Sequence, residues 1–383
     1  MNATEVPEVS IVLPCLNEAQ TVARCVEKAL ASCASSGLRG EVVVSDNGSI
    51  DGSPELAASA GARVVLESRR GYGSAYLRGI AIARAPIIVM ADADDTYDLQ
   101  EIPRLVSKVR EGYEIVLGSR LGGTILPGAM PWLHQHVGNP ILTGLLNWLF
   151  GLNVIDAHTG LRAFTRDAYE RLKLRTTGME FASEMIINAG QAQLSIGEVP
   201  ITYYPREGAS KLNTWRDGWR HLRYLLLRSP RHVFLLPGIG LIMLGWAPLI
   251  TLAAGPLMIG PLFFDFHYMI AGSALAILGL QLITLGIHGK AYLIARNLEQ
   301  PDRLMNSVQR HFTLERGLLW GFILLAIGIA FGLQILLVWA QHGFRNIFEL
   351  RSGLIALTLG VSGTQLMFAS LFLSLLQIEA RND

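Results

Sequence analysis

Charge is scarce in this sequence. Only 16% of its 383 residues are Asp, Glu, Lys or Arg, against 51% hydrophobic, and the mean hydropathy is +0.36. That balance is high for a water-soluble globule and points to a membrane component. The formal net charge is +1, so no basic field argues for nucleic acid as a partner. Cysteine is scarcer still. Cys15, Cys25 and Cys33 are odd in number and form no CxxC pair. This argues against a disulfide framework or a zinc site and for buried thiols in a reducing compartment. The opening MNATEVPEVS has neither a basic nor an apolar segment. No cleavable signal peptide is expected, and the N-terminal part is expected to stay in the cytoplasm.

What charge there is lies mostly before residue 233. Beyond it come four apolar runs, at about 233–254, 266–287, 317–340 and 353–377, each reaching the ~20 residues that cross a ~30 Å hydrocarbon core. Buried soluble helices would show a polar stripe, and these do not. Arg220, Arg223, Arg228 and Arg231 precede the first run, and Lys290, Arg296, Arg303, Arg310 and Arg316 lie between the second and third. By the positive-inside rule the N-terminal domain, the middle connection and the C-terminus face the cytoplasm of a multi-pass cell-membrane protein. The expected organisation is a catalytic domain over 1–214, an interfacial linker over 215–232 and a membrane domain over 233–383.

The first half alternates strand and helix. VSIVLPC (9–15), EVVVSDNGS (41–49), ARVVLE (62–67) and APIIVMADAD (85–94) read as strands; helices are expected over 17–30, from about 53, and over 74–84. Uninterrupted β-branched runs are what doubly covered strands look like, and the alternation argues for an α/β domain with a parallel sheet. Ligands in such sheets bind beyond the carboxyl ends of the strands. The polar clusters LPCLNE, SDNGS and ADADD fall there.

ADADD is the densest of these. In an extended chain Asp92 and Asp94 point to one side and Asp95 to the other. A carboxylate pair past a strand end suits Mg²⁺ or Mn²⁺, which take one or two protein carboxylates and fill the rest with phosphate and water. On spacing alone the pattern also fits an acidic turn in which Asp95 or Asp98 caps the next helix. In SDNGSIDGS, Asp51 or Ser53 can cap a helix, whereas Asp46 comes too early and is free to accept hydrogen bonds from a base or ribose. Asn47 and Gly48 beside it go with the nucleotide side. Arg70 flanks the glycine-rich turn of RRGYGSAYLRG, which reads as a phosphate cradle or as a plain turn. His134 and His136 form an HxH to which no metal is assigned.

LPCLNE, DNGSIDGS, RRGYGSAYLRGIAIA, MADAD, VLGSR and GLRAF occur in an order and at spacings that resemble family 2 glycosyltransferases of the GT-A fold. More narrowly, over about residues 8–230 the chain resembles the polyprenyl-phosphate glycosyltransferases, the dolichyl-phosphate mannose and glucose synthases. DADDTYD, GAMPWLHQHVGNP, GMEFASEM and RDGWRHLRYLL are similar to the bacterial dolichyl-phosphate-glucose synthase-like group. The resemblance implies a mixed-sheet catalytic domain. It places Pro14, Asn17, Glu18 and Asp46 at the nucleotide, Asp92 and Asp94 as the DxD pair with Asp94 the principal metal ligand, and Thr96 where relatives often carry Gln or Ser. It implies that Arg120, Arg162, Arg206, Ser210 and Lys211 hold the acceptor phosphate, and it makes Glu184 a candidate sugar contact.

The chemistry agrees with that set. A lipid monophosphate has a second pKa near ~6 and is already ionised at neutral pH. It needs no general base, so no Ser–His–Asp set is expected; it does need cations, and arginine forks suit phosphate. NPILTGLLNWLFGLNV (139–154), with Trp148 and Phe150, and WRDGWRHLRYLLLRSPRH (215–232), with Trp215, Trp219 and Tyr224, read as helices lying in the membrane interface. The expected partners are a nucleotide-sugar donor (UDP-glucose favoured), a polyprenyl phosphate and membrane lipids, with a homo-oligomer left open. Rival readings are a processive polysaccharide synthase, against which the chain shows no QxxRW, and a non-catalytic flippase-like or scaffolding membrane protein.

Overall fold

The computed structural model describes residues 6–207, 214–296, 298–299 and 301–379. Its contacts divide the chain into two units, Met1–Leu227 and Arg228–Asp383.

The first unit is built on a seven-stranded sheet. In chain order it contains β1 (Val9–Cys15), α1 (Val22–Ser35), β2 (Gly40–Asp46), α2 (Ser53–Ser59), β3 (Arg63–Leu66), α3 (Tyr72–Ile82) and β4 (Ile87–Met90). It continues through α4 (Ile102–Arg110), β5 (Ile115–Ile125), α5 (Asn139–Phe150), β6 (Arg162–Thr165), α6 (Arg166–Leu172), α7 (Phe181–Gln191), β7 (Ile196–Tyr203) and α8 (Thr214–Leu227). The strand order is β3-β2-β1-β4-β6-β5-β7. β6 runs antiparallel to both β4 and β5, and all other pairings are parallel. The sheet is therefore mixed, as the family resemblance implies.

Both faces are covered. Ile11, Leu13, Val42 and Val44 pack beneath α1 and α4, while Val12, Val43, Ile88 and Met90 pack against α3 and α7. Each such aliphatic, moved from water to a full interior, contributes about 1.5–3 kcal/mol. At Gly79 of α3 an added Cβ would lie 2.5 Å from Val12 Cγ1, so that helix touches the sheet through backbone.

α1 departs from its expected start. It begins at Val22, and Asn17 adopts φ +52°. Asn17 is tied instead to the loop after β2: its N–H donates to Ser49 Oγ at 2.8 Å, and its Oδ1 accepts from Ile50 N at 2.9 Å. The apolar spacing of 17–30 is compatible with a helix throughout. Contacts with a loop more than thirty residues away decide that its first turn does not form.

The second unit contains α9 (Leu236–Thr251), a short hairpin of β8 (Leu257–Ile259) and β9 (Leu262–Phe264), α10 (Phe266–Ala295), α11 (Arg303–His311), α12 (Leu314–Gln341) and α13 (Leu350–Glu379). Four stretches, Arg231–Thr251, Phe266–Ala295, Leu314–Gln341 and Leu350–Leu376, are long and apolar enough to cross a membrane. α9 packs on α10, α12 on α13, and α10 on α13. The close approaches are made at glycine: a Cβ on Gly245 would meet Ala276 N at 2.4 Å, and one on Gly321 would meet Gly363 O at 2.7 Å. Small residues that let backbones meet are how helices associate in lipid, where burial of apolar surface gives no driving force.

Candidate active site

The carboxyl ends of β1, β2 and β4 bring the expected nucleotide residues together. Cys15 lies opposite Asp46 in the parallel register, with Pro14 beside it. The Asp46 carboxylate accepts from Gly48 N at 3.0 Å and Ser49 N at 3.1 Å, which fixes the turn while leaving lone pairs over. Asn47 serves the architecture. Its Nδ2 donates to the carbonyls of Glu67 and Arg69, and its Oδ1 accepts from Gly71 N at 2.7 Å. One side chain thus joins the ends of β2 and β3 to the start of α3, and Arg70 stands exposed on that joint.

The glycine-rich turn is closed as a phosphate cradle. Ser74 N donates to Thr177 O at 3.2 Å, and a Cβ on Gly71 or Gly73 would lie within 2.2 Å of the Thr177 or Thr176 carbonyl oxygen. The glycines are there so that another loop can cover the first turn of α3. Glu184 is part of the same packing. Buried on α7, it accepts from Arg175 N, Thr176 N and, at 2.6 Å, Thr176 Oγ1. The carboxylate expected near the sugar is used to hold the 175–177 loop.

β4 ends at Met90, so the acidic run lies wholly beyond the sheet. Asp92 turns inward and accepts from Tyr72 Oη at 3.1 Å and Tyr76 Oη at 3.2 Å. Burial, and then the charge of Asp94, push its carboxyl up to about 7. Asp94 accepts from Thr96 Oγ1 at 2.6 Å on one oxygen and from Arg206 Nη1 at 2.8 Å on the other. The second nitrogen of the same guanidinium reaches Glu18 Oε1 at 2.5 Å. Asp95, at φ +59°, points away and pairs with Arg24 at 2.9 Å and Lys28 at 2.7 Å. Only Asp98 acts as a cap, accepting from Gln100 N; of the two candidates for that duty, Asp95 is excluded.

No group of three or more His, Cys, Asp or Glu that can hold a metal occurs among the described residues. Mg²⁺ and Mn²⁺ do not require one when phosphates complete the shell. The pair Glu18 and Asp94, converging on a single cationic group, fits such an ion. Thr96 touches Asp94 and so orients it.

On the other side of β4, Arg120 lies in β5 with its guanidinium on Asp156, at 2.8 Å from Nε and 2.9 Å from Nη2. Burial alone would raise the Asp156 pKa, but the Arg120 charge and hydrogen bonds outweigh it and hold the group below its ordinary value. Arg120 also stacks 5.3 Å from the Tyr203 ring, which meets Tyr97, three residues after Asp94 of the acidic pair. From Arg120 a cavity of about 510 Å³ runs past Gln135, His136, Pro140, Thr143 and Val154, between β5 and α5. Its lining mixes polar Gln135, His136, Thr143 and Asn147 with apolar Leu121, Ile125, Val154 and Ile155.

Arg162, expected beside Arg120 at the acceptor, is fully buried. It donates to the carbonyls of Thr159, Ala157 and Ala182 at 2.9–3.0 Å, so its charge supports the 157–159 turn rather than an open site. Ser210 and Lys211 lie outside the described residues.

Comparison with known proteins identifies the family. Residues 10–173 match the model of Glycosyl transferase family 2, and residues 287–377 that of the Glycosyltransferase family 2 C-terminal transmembrane region. The low-salt glycan biosynthesis hexosyltransferase Agl6 of Haloferax volcanii is 41% identical over 96% of this chain and 88% of its own. This chain belongs to glycosyltransferase family 2. A dolichyl-phosphate hexose transferase of the same organism is 36% identical over 47% of this chain and 77% of its own. Among solved structures, glucosyl-3-phosphoglycerate synthase of Mycobacterium tuberculosis matches with a TM-score of 0.48 at 22% identity, over 58% of this chain and 80% of the other.

Some residues of this glycosyltransferase's site were not picked out from the sequence. Tyr72 and Tyr76 share one helix face, four apart, a signal visible in YGSAY. Asp156 opens the DAHTGLRAF run six residues before Arg162, yet nothing in that spacing says it faces Arg120. Behind it, Ser183 Oγ bridges His158 Nε2 at 3.2 Å and His221 Nδ1 at 2.8 Å, fastening α8 to α7. α8 turns Trp215 and Trp219 outward, and Trp148 of α5 is exposed as well, while Phe150 packs inward.

Proposed function

We propose that this glycosyltransferase moves a sugar from a nucleotide sugar, UDP-glucose in the favoured case, to a polyprenyl phosphate at the cytoplasmic face of the cell membrane. The observation that carries this reading is the cavity between β5 and α5, where a buried, carboxylate-held arginine shares the lining with apolar Leu121, Ile125, Val154 and Ile155. That suits a phosphate with an apolar tail. The Haloferax relative with dolichyl phosphate in its name and the membrane-region match support the same acceptor class.

The chain's own groups have distinct duties in this reaction. Asp46, with Pro14 and Asn17, borders the base and ribose side. Asp92 is held by two tyrosines, and Asp94 by Thr96, so the pair is set before the donor arrives. Bound there, Mg²⁺ or Mn²⁺ would offset the negative charge of the nucleoside diphosphate as it leaves. Arg120, fixed by Asp156, holds the lipid phosphate against its repulsion from the donor; Ser210 and Lys211 belong to the same proposed phosphate set. An ionised phosphate oxygen attacks the anomeric carbon directly, which gives one displacement and inversion. The exposed tryptophans of α5 and α8 suit the interfacial layer, with the catalytic unit and the C-terminus on the cytoplasmic side.

The test is to incubate membranes containing the protein with a panel of labelled sugar nucleotides and extract the lipid. Label should move into a lipid phosphate from one donor, and Asp94→Ala should abolish the transfer. A variant that transfers as well as the parent would refute the assignment.

A further inference from the structure

Arg206 and Glu207 follow β7 and sit across the acidic turn. Arg206 spans Asp94 Oδ2 and Glu18 Oε1 at 2.8 and 2.5 Å. Its remaining nitrogen, Nε, is buried and has no hydrogen-bond partner among the described residues. Glu207 pairs with Arg24 at 2.5 Å, and Arg24 reaches Asp95 at 2.9 Å. Two consecutive residues are thus fastened to the first-strand turn, to α1 and to the acidic run by a chain of ion pairs.

This arrangement solves one problem and leaves another. Glu18 and Asp94 both face one small volume, and two carboxylates there repel each other unless a cation lies between them. The guanidinium supplies that cation. It does so with one N–H bond to each carboxylate and with a buried donor that no described residue satisfies, an arrangement that costs free energy. A fork matched to its ligand would bind two oxygens of a single group.

A divalent ion bound by Asp94 would stand about 2.1 Å from the carboxylate oxygen that now accepts Arg206 at 2.8 Å. A guanidinium and a divalent ion cannot share that oxygen at those distances without strong repulsion. One must leave. The group that leaves has a destination if the donor brings phosphate oxygens, since these can accept from all three of its nitrogens.

We propose that Arg206 is the resident counter-cation of Glu18 and Asp94, displaced from them when the divalent ion binds and passed to the phosphates that enter with it. This rests on the metal-dependent transferase reading and adds a coupling to it: ion and nucleotide load together because each relieves the cost of the other. An ion offered alone must displace an arginine that has nowhere better to go. An ion offered with a diphosphate need not.

The experiment uses the full chain in detergent, with Mn²⁺ and UDP as the only ligands and no sugar or lipid acceptor. Free Mn²⁺ is read from its electron paramagnetic resonance signal. The parent should bind Mn²⁺ weakly alone and much more tightly with UDP. Arg206→Ala should bind Mn²⁺ alone about tenfold more tightly than the parent, equal to about 1.4 kcal/mol, and should gain less from UDP. Should that variant lose its thermal transition, Arg206→Gln removes the charge while keeping most of the volume and is measured in its place. Equal or weaker Mn²⁺ binding in the neutral variant overturns the exchange. Asp94→Asn separates the two readings. If it abolishes binding in both backgrounds while removal of Arg206 changes nothing, the metal site stands and only the exchange is wrong. If Mn²⁺ binds no protein that carries Asp94, the metal-dependent reading fails and the exchange fails with it.

Discussion

Four aspartates within seven positions illustrate how position alone divides the labour of identical side chains. Asp98 caps, Asp95 ties the turn to α1, Asp92 is gripped by two tyrosines, and Asp94 faces Glu18 across an arginine. Gly160 is the backbone wedge behind Asp92: a Cβ there would lie 2.4 Å from Asp92 Oδ2. Gly160→Ala should therefore push the carboxylate from its place, at an overpacking cost of about 1–3 kcal/mol. The expected result is a loss of UDP affinity of about tenfold, or ~1.4 kcal/mol, by calorimetric titration. The split between Asp92, Asp94 and the other two was legible in the sequence, because a strand end and a helix start bound the run on either side. The fates of Arg162 and Glu184 were not. Both occur in motifs that match the family, and a motif gives a residue's identity, not whether its polar atoms are already taken by carbonyls or amides nearby. Asp156 escaped notice for the converse reason. Asp156 lies in the loop before β6 and its partner 36 positions upstream in β5, and no local pattern links the two.

At the scale of elements, α8 shows how a helix read as interfacial is also anchored. Its outer face carries Trp215 and Trp219, while its inner face buries Asp217, His221 and Leu225. Burial lowers the His221 pKa to about 4, partly offset by the charges of Glu180 and Asp217, and burial together with the His221 charge also lowers that of His158. A histidine whose folded pKa lies below its ordinary ~6.5 contributes stability above that value and loses it as pH falls toward the folded pKa. The transferase should thus become less heat-stable between about pH 6.5 and 4. His221→Asn, which keeps a side-chain hydrogen bond to Ser183 without the titration, should flatten that slope. Differential scanning fluorimetry has the needed sensitivity, since ~1 kcal/mol shifts the midpoint of a unit of this size by about 2–4 °C. The amphipathic spacing of α8 was readable from sequence. Its dependence on Ser183 and His158 was not, because it arises from a helix that packs against it across the fold.

In the molecule as a whole, membrane and catalytic chemistry are segregated along the chain, and composition alone marked the divide. Long apolar runs are the strongest pattern a sequence offers, so three of the four spans were placed within three residues of Arg231–Thr251, Leu314–Gln341 and Leu350–Leu376, while the second, Phe266–Ala295, runs eight residues past its expected end at 287. Their pairing was not legible, since it depends on which glycines meet which. Gly321→Leu would drive a side chain into Met367 and the Gly363 carbonyl, where even a Cβ comes within 2.4 and 2.7 Å. It should part α12 from α13 and lower the thermal stability of the second unit in detergent by an overpacking cost of about 1–3 kcal/mol. Mn²⁺ binding in the first unit should not change, and the two measurements made on one sample check both statements.

The three thiols noted at the outset are all buried and unpaired. Burial pushes Cys15 and Cys33 up to about 11 and Cys25 to about 12. Reaction with a maleimide requires thiolate and access, and the folded protein offers little of either. The natural chain is therefore a silent background for chemical labelling. A single cysteine put in place of Trp215, whose side chain is 84% exposed, would carry a probe to the surface of α8 without competition from the rest of the sequence.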